Sequence, residues 1–329
     1  MTTQAWMPER LAARAGFLRR RALLTEGTRA FFRTRGYTEV ETPYAVSTPG
    51  EEVFLSAFET TQIGPDGIAT KMWLHTSPEF AMKKILAGGV GPIFQIARVW
   101  RNREGSDTHA PEFSLLEWYR PGDDLESLMQ ETATFLRSVL PPAVSCRGVT
   151  NSLNHFERLS VGEAFSRHLG IDVLASIGDA ERLANDADTR LRPGETWDDL
   201  FFRLMLAWIE PHLGRRHPTF LTDWPAPLAA LARRNERDLR VAERFELYLC
   251  GMELANAFSE LTDPAEQRAR FERDRMRRHQ LVGADDWPID EDLLVAVGMM
   301  PACVGIALGF DRLAMIASGA HRITDVLWL

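Results

Sequence analysis

The spacing of apolar positions changes period several times along the chain, and each change marks an element. From about Glu9 to Gly36 the apolar residues recur at helical intervals, with Gly36 where such a helix would stop. Tyr37 to Pro43 then reads as a strand ended by its proline. Met72 to Leu74 reads as extended, and Thr76 or Ser77 can cap a helix with Pro78 in its first turn and Gly88 just past its end. Ile93 to Arg101 and Glu112 to Tyr119 read as strands joined by a polar loop over 102–111, too long for a tight hairpin and of the kind that carries binding groups. Asp123 to about Arg216 is mostly helical in pattern, broken at Pro141-Pro142, Gly170 and Pro193-Gly194. Pro218 to Trp224 reads as a strand and Leu228 to Arg244 as a helical segment whose mixed charges form a solvated face. Two further strands, Phe245 to Leu249 and Met252 to Leu261, meet at Cys250-Gly251, and a last strand through Gly305, Ala307 and Gly309 runs into a helix at Phe310.

Composition narrows the picture. The 329 residues are 45% apolar and 26% charged, enough to bury a large core, and no repeat or linker-like tract divides them, so one continuous domain over 1–329 is expected. Lys and Arg number 38 against 46 Asp and Glu, a net charge of −8 that disfavours gripping long nucleic acid such as DNA or bulk tRNA. Cys146, Cys250 and Cys303 lie far apart without a C-x-x-C pair, which indicates a reducing, cytoplasmic compartment and no thiolate zinc site. No apolar run approaches the roughly 20 residues that a membrane helix needs, and the Arg-rich start reads as a surface helix. His212 and His217 lack partners at metal-ligand spacing. There is no G-x-x-x-x-G-K-[ST], H-E-x-x-H or G-x-S-x-G, so any phosphate must be handled by arginines and a metal.

Several carboxylates stand out. Glu79 sits at a helix start, where it either complements the dipole or serves a site. Period-two alternation puts Phe113, Leu115, Glu117 and Tyr119 on one strand face. A carboxylate flanked by Leu115, Leu116 and Trp118 needs a cationic partner, which is either a structural arginine or a ligand. With Cys250-Gly251 as the turn, Tyr248 faces Glu253 and Glu246 lies diagonally on the same face. Two converging carboxylates suit Mg²⁺ together with substrate phosphates, or are simply exposed strand glutamates. Asn256, Phe258 and Glu260 share the alternate face, so bringing Glu253 and Glu260 into one pocket requires a bulge near Ala255. The small residues Gly305, Ala307 and Gly309 let a ligand approach the backbone, and Arg312 at a helix beginning calls for an anion such as phosphate or a surface ion pair.

These pieces together resemble the class II aminoacyl-tRNA synthetases, and specifically the lysyl-tRNA synthetase catalytic core. Val40-Glu41-Thr42-Pro43 looks like motif 1, Phe94 to Tyr119 with Arg101-Asn102 and His109-Ala110-Pro111-Glu112-Phe113 like motif 2, and Ala307-Leu308-Gly309-Phe310-Asp311-Arg312-Leu313 like motif 3. Thr76-Ser77-Pro78-Glu79, Phe245-Glu246-Leu247 and the run from Glu253 to Leu261 look like the lysine branch. Too little chain precedes Val40 for an anticodon-binding OB-fold. Glu117-Trp118-Tyr119-Arg120, Leu159-Ser160 with Ala164-Phe165, and Val241 to Glu246 are more typical of free-standing paralogues that modify translation elongation factor P.

The resemblance implies an α+β class II catalytic fold, an antiparallel sheet flanked by helices, working as a homodimer. It implies ATP-dependent activation of lysine or (R)-β-lysine, followed by transfer to a lysine side chain of elongation factor P. Arg101 and Arg312 would be catalytic, and the ATP site would comprise Arg101, Asn102, Arg103, His109, Ala110, Phe113, Glu253, Leu254, Gly309 and Arg312, with Phe113 stacking on adenine. Glu246 and Glu253 would hold Mg²⁺. Ser77, Pro78, Glu79, Glu117, Tyr119, Asn256, Glu260 and Ala307 would bind the amino acid. Arg103 stands where motif 2 usually has Glu, Ala110 where Asn is usual, Ala257 where Gly is usual, and Ala307 where lysyl-tRNA synthetases generally have Gly; the Ala307 methyl is expected to narrow the pocket against α-lysine. Two other readings stay open: a truncated synthetase charging tRNA directly, and a catalytically dead paralogue that senses an amino acid.

Overall fold

The computed structural model, which describes residues 4–50, 52–282 and 287–329, begins with α1 (Pro8–Arg33). Its buried residues Leu18, Arg21, Leu24, Thr28, Phe31 and Phe32 fall three and four apart, so one stripe faces inward, and Gly36 at φ +80° takes the chain out of the helix. The expected strand over 37–43 shortens to β1 (Thr38–Glu39). Past it Thr42 turns its hydroxyl onto Gln95 Oε1 (3.0 Å), and Pro43 has no N–H for a ladder. A small sheet follows, from β2 (Ala45–Val46), β3 (Phe58–Ile63) and β4 (Ala69–Leu74) in the order β2-β4-β3. Next come α2 (Glu79–Ala87), β5 (Ile93–Trp100) and β6 (Glu112–Pro121).

Residues Leu125–Ser259 form a compact unit of their own, and Met1–Asp124 with Glu260–Leu329 form another. The inserted unit contains α3 (Leu125–Val139), β7 (Ala143–Cys146), β8 (Val149–Ser152), β9 (Glu157–Ser160), α4 (Val161–Leu169), α5 (Ala180–Asp186), α6 (Trp197–Leu204), β10 (Thr219–Pro225), β11 (Val241–Leu249) and β12 (Met252–Ser259). Within it β9 runs parallel to β10, and β10, β11 and β12 pair antiparallel in sequence. Its core gathers Phe165, Trp197, Phe201, Leu221 and Trp224. The helical reading of 123–216 holds for α3 to α6 and misses β7, β8 and β9, four residues each and too short to show a period of two. The helix expected over Leu228 to Arg244 is absent: the chain there is irregular up to β11. Its backbone pairs instead with the neighbouring strands, through Arg233 N to Ser259 O and Glu243 N to Arg233 O (both 2.8 Å), and Asp238 and Arg240 close a turn as an ion pair.

The first unit resumes with α7 (Pro264–Val282), α8 (Glu291–Met299), β13 (Cys303–Gly309), α9 (Phe310–Ser318) and α10 (Ile323–Val326). Its main strands lie in the order β1-β5-β6-β13, with β1 parallel to β5 and the other neighbours antiparallel. Alternation gives β6 two different faces. Trp118 meets the α1 side, where Phe32 stacks on Phe94 (4.8 Å) and tilts against Trp118 (5.1 Å). Leu115, Glu117 and Tyr119 point the other way, and α2 caps that face where Met82 and Leu86 pack with Ile93 and Tyr119. No helix among the described residues is long and apolar enough to cross a membrane.

Candidate active site

In the first unit, register brings the small strand residues beside the charged ones. Glu117 is flanked by Gln95 on β5 and Ala307 on β13, and Tyr119 lies opposite Gly305. A Cβ on Gly305 would sit 2.3 Å from Glu260 Oε1 and 2.4 Å from Tyr119 Cε1, so only glycine leaves room for those two side chains. Ser77 links helix and strand: its hydroxyl accepts from Glu79 N (3.0 Å), serving the cap that Pro78 cannot, and donates to Glu117 Oε1 (2.7 Å). The Tyr119 hydroxyl donates to Glu117 Oε2 (3.3 Å). Glu79, Glu117 and Glu260 therefore gather in one region with a fourth charge that the sequence reading missed. Lys83, 1% exposed, places Nζ 2.6 Å from Glu79 Oε1 and 2.6 Å from Glu260 Oε2.

Burial dominates the electrostatics. It pushes Glu117 up to about 8, reinforced by the like charge of Glu79 and opposed by the Ser77 and Tyr119 hydroxyls and by Arg101. Glu260 is raised to about 7, again chiefly by burial, with Lys83 pulling it back. The Glu260 Oε1 atom is buried and has no hydrogen-bond partner. Such a group is costly to hold without a donor, and an ammonium ion would supply one.

Beside this pocket run the motif 2-like loop and the start of α9. Arg101, half-buried, lies over the Phe113 ring (5.2 Å) with Nε 3.5 Å from Thr76 O. Asn102 pairs its N–H with Ser56 O (2.7 Å) and its side chain with Arg103 N (2.9 Å), and Arg103 takes a left-handed φ of +65°. Arg312 meets the Thr108 carbonyl (3.4 Å) and the His109 ring, whose Nδ1 is 2.8 Å from Ser106 Oγ. Ala110 is buried, and Gly309 occupies the N-cap of α9. Asp311 was not singled out from sequence; buried, it pairs with Arg21 of α1 and accepts from Ser114 N (2.7 Å), tying α9 to β6 and aiming the Arg312 end of the helix.

The second unit carries its own charged face. The expected opposition of Tyr248 and Glu253 is present, and the register slips between Leu247 and Tyr248, leaving Leu254 as a bulged extra residue on β12. That bulge puts Asn256, opposite Glu246, on the same face as Glu253. Arg244 organises the face: Nε donates to Asn256 Oδ1 (3.0 Å), Nη2 to Glu246 Oε1 (2.6 Å) and Nη1 to Leu228 O (2.6 Å), and its plane covers Trp224 (4.2 Å). The Tyr248 hydroxyl donates to Glu246 Oε2 (2.8 Å). Burial and then the like charge of Glu253 push Glu246 up to about 8, so a cation between the two carboxylates would relieve both strains.

The model of the family tRNA synthetases class II (D, K and N) matches residues 4–329. The chain belongs to this class II tRNA synthetase family. Three similar curated proteins carry the name elongation factor P–(R)-β-lysine ligase. That of Proteus mirabilis is 42% identical, with 98% of this chain and 96% of the relative covered. Those of Salmonella arizonae and Photorhabdus laumondii are each 43% identical, with 99% and 97% covered. The α+β, mostly antiparallel class II fold implied by the motifs is borne out.

Against the family pattern, the first unit gathers Ser77, Pro78, Glu79, Glu117, Tyr119, Glu260 and Ala307, and places Arg101, Asn102, Arg103, His109, Ala110, Phe113, Gly309 and Arg312 on the loop and helix start beside them. Glu246, Glu253, Leu254 and Asn256 lie on the second unit's hairpin. The charged partners missed from sequence, Lys83 and Arg244, each had a local signal: Lys83 is four residues after Glu79 on a helix, and Arg244 two before Glu246 on a strand.

Proposed function

We propose that this class II synthetase relative uses ATP to activate lysine or (R)-β-lysine as an aminoacyl-adenylate and transfers it to a lysine side chain of translation elongation factor P. The observation that carries the reading is the amine pocket: the buried carboxylates of Glu117 and Glu260, the latter with an unpartnered oxygen above Gly305, the half-buried Glu79, and the buried ammonium of Lys83. Three negative charges less one leave two, which suits a diamino acid whose two ammonium groups are both charged. The names of the curated relatives support elongation factor P as acceptor.

The residues divide the work. Glu117, Glu260 and Glu79 bind the ammonium groups, and Ser77 and Tyr119 hold Glu117 in place through its two oxygens. A lysine carboxylate oxygen attacks the α-phosphorus of ATP; an O–P bond forms and the bond to pyrophosphate breaks. Arg101 and Arg312 stabilise the charge that develops there. Phe113 offers its ring to adenine, and His109, held by Ser106, orients Arg312. Glu246 and Glu253 are hard oxygen donors on one face and fit Mg²⁺, which when bound neutralises phosphate charge. In the second step the acceptor amine attacks the acyl carbon and AMP leaves with the bonding pair. We further propose that the whole chain acts as one catalytic domain, as a homodimer in the cytoplasm.

Lysine-dependent exchange of pyrophosphate into ATP tests the first step. Exchange with at least one lysine isomer, lost in Glu117→Gln, is expected; lysine binding without any exchange would make the protein an amino-acid sensor instead.

A further inference from the structure

The buried lysine of the amine pocket takes no part in the steps above, yet it is as enclosed as Glu117 and Glu260 beside it. Lys83 bridges Glu79 of its own helix and Glu260, whose N–H is anchored on Cys303 O of β13 (2.9 Å). Glu117 and Tyr119 of β6 and Cys303 of β13 face the same cluster, with Arg101 acting on Glu117. Burial alone would strip the Lys83 proton, but Glu260 and then Glu79 outweigh it and keep the ammonium charged.

An ammonium held between two carboxylates has two consequences. It offsets the repulsion between the two like charges that it bridges. It also fixes one oxygen of each partner, and for Glu260 the remaining oxygen stays without a partner where Gly305 leaves space. We propose that Lys83 is a positioning residue that sets the charge the pocket accepts: it cancels one of three carboxylate charges, fixes one oxygen of Glu79 and one of Glu260, and so fits the pocket to a dication. This rests on the lysine-activating reading above.

The test is a cycle of Lys83→Met, Glu79→Gln and the double variant in the full chain, beside wild type. It is read as KM for lysine and kcat in pyrophosphate exchange between about pH 6.5 and 9. Lys83→Met is expected to raise KM about tenfold or more across that range with a smaller change in kcat. The double variant again carries a net charge of two carboxylates, so it is expected to lose no more than Glu79→Gln alone. That comparison decides even if Lys83→Met does not fold. Losses that multiply in the double variant, or a Lys83→Met KM equal to wild type at every pH, overturn the inference and leave the reading standing. A wild type that exchanges with no lysine isomer overturns the reading and this inference with it.

Discussion

The amine pocket and the hairpin face of β11 and β12 both hold glutamates that burial drives toward neutrality, but they are neutralised by different means. In the hairpin everything is local: Arg244, Glu246 and Tyr248 alternate along one strand, and a single bulge at Leu254 turns Glu253 and Asn256 onto their face. In the amine pocket the charges come from a helix, a strand and the residue Glu260 far along the chain; Glu79 and Glu260 meet on the ammonium of Lys83, and Glu117 is held by Ser77 and Tyr119. The hairpin's guanidinium caps one oxygen of Glu246 beside a second carboxylate, Glu253, a pair that would suit a hard cation. The pocket's ammonium sits between two carboxylates and leaves Glu260 Oε1 without a partner, a place that an organic ammonium group would fit. On the function proposed above, the same residue type would serve a metal in one place and an amine in the other, according to where the countercharge stands.

The sharpest way to break this division is to neutralise one carboxylate on each side. Glu117→Gln is expected to lower kcat/KM for lysine about a hundredfold or more, since a buried hydrogen-bonded charge pair to the substrate is lost, with the KM for ATP little changed. Glu246→Gln should do the reverse, raising the Mg²⁺ and ATP requirement while the lysine KM holds. Equal effects on both substrates in both variants would erase the distinction. Gly305→Ala pushes a methyl against Glu260 and Tyr119 and should cost about 1–3 kcal/mol in denaturant unfolding and weaken lysine binding. Ala307→Gly, beside Glu117, should shift the ratio of α- to β-lysine activation by about tenfold, the worth of a methyl in a pocket; an unchanged ratio would show that the methyl does not discriminate.

The smallest effect is on pH. Glu117 and Glu246 are raised to about 8 and Glu260 to about 7. A carboxyl raised in the folded state binds its proton more tightly there than when unfolded, so its stabilisation is complete below about pH 4.5 and is lost as pH rises through about 7 to 8. The ligand-free melting temperature should therefore fall across that window, and less steeply in Glu117→Gln. Lysine binding at neutral pH should release protons from the pocket, measurable as a buffer-dependent binding enthalpy.

Much of the site could be read from the chain because strands and helix starts repeat on short periods. Glu117, Tyr119 and Phe113 share a face by alternation, and Tyr248 opposes Glu253 because the turn is two residues long. The conjunction of Glu260 with Lys83 and Glu79 was not legible in the same way, since it depends on tertiary packing between residues 177 apart in number for Lys83 and Glu260. Lys83 was overlooked because a lysine on an amphipathic helix usually faces water. The helix expected before β11 failed for the complementary reason: mixed charges permit a helix, but without an apolar stripe the backbone bonded to adjacent strands instead.

The central claim is tested most directly by incubating the protein with ATP, Mg²⁺, each lysine isomer and purified elongation factor P, and measuring the intact mass of the acceptor. The account predicts a gain of one lysyl group with at least one isomer, dependent on ATP and formed far more slowly with Glu117→Gln. An acceptor mass unchanged with both isomers would contradict it.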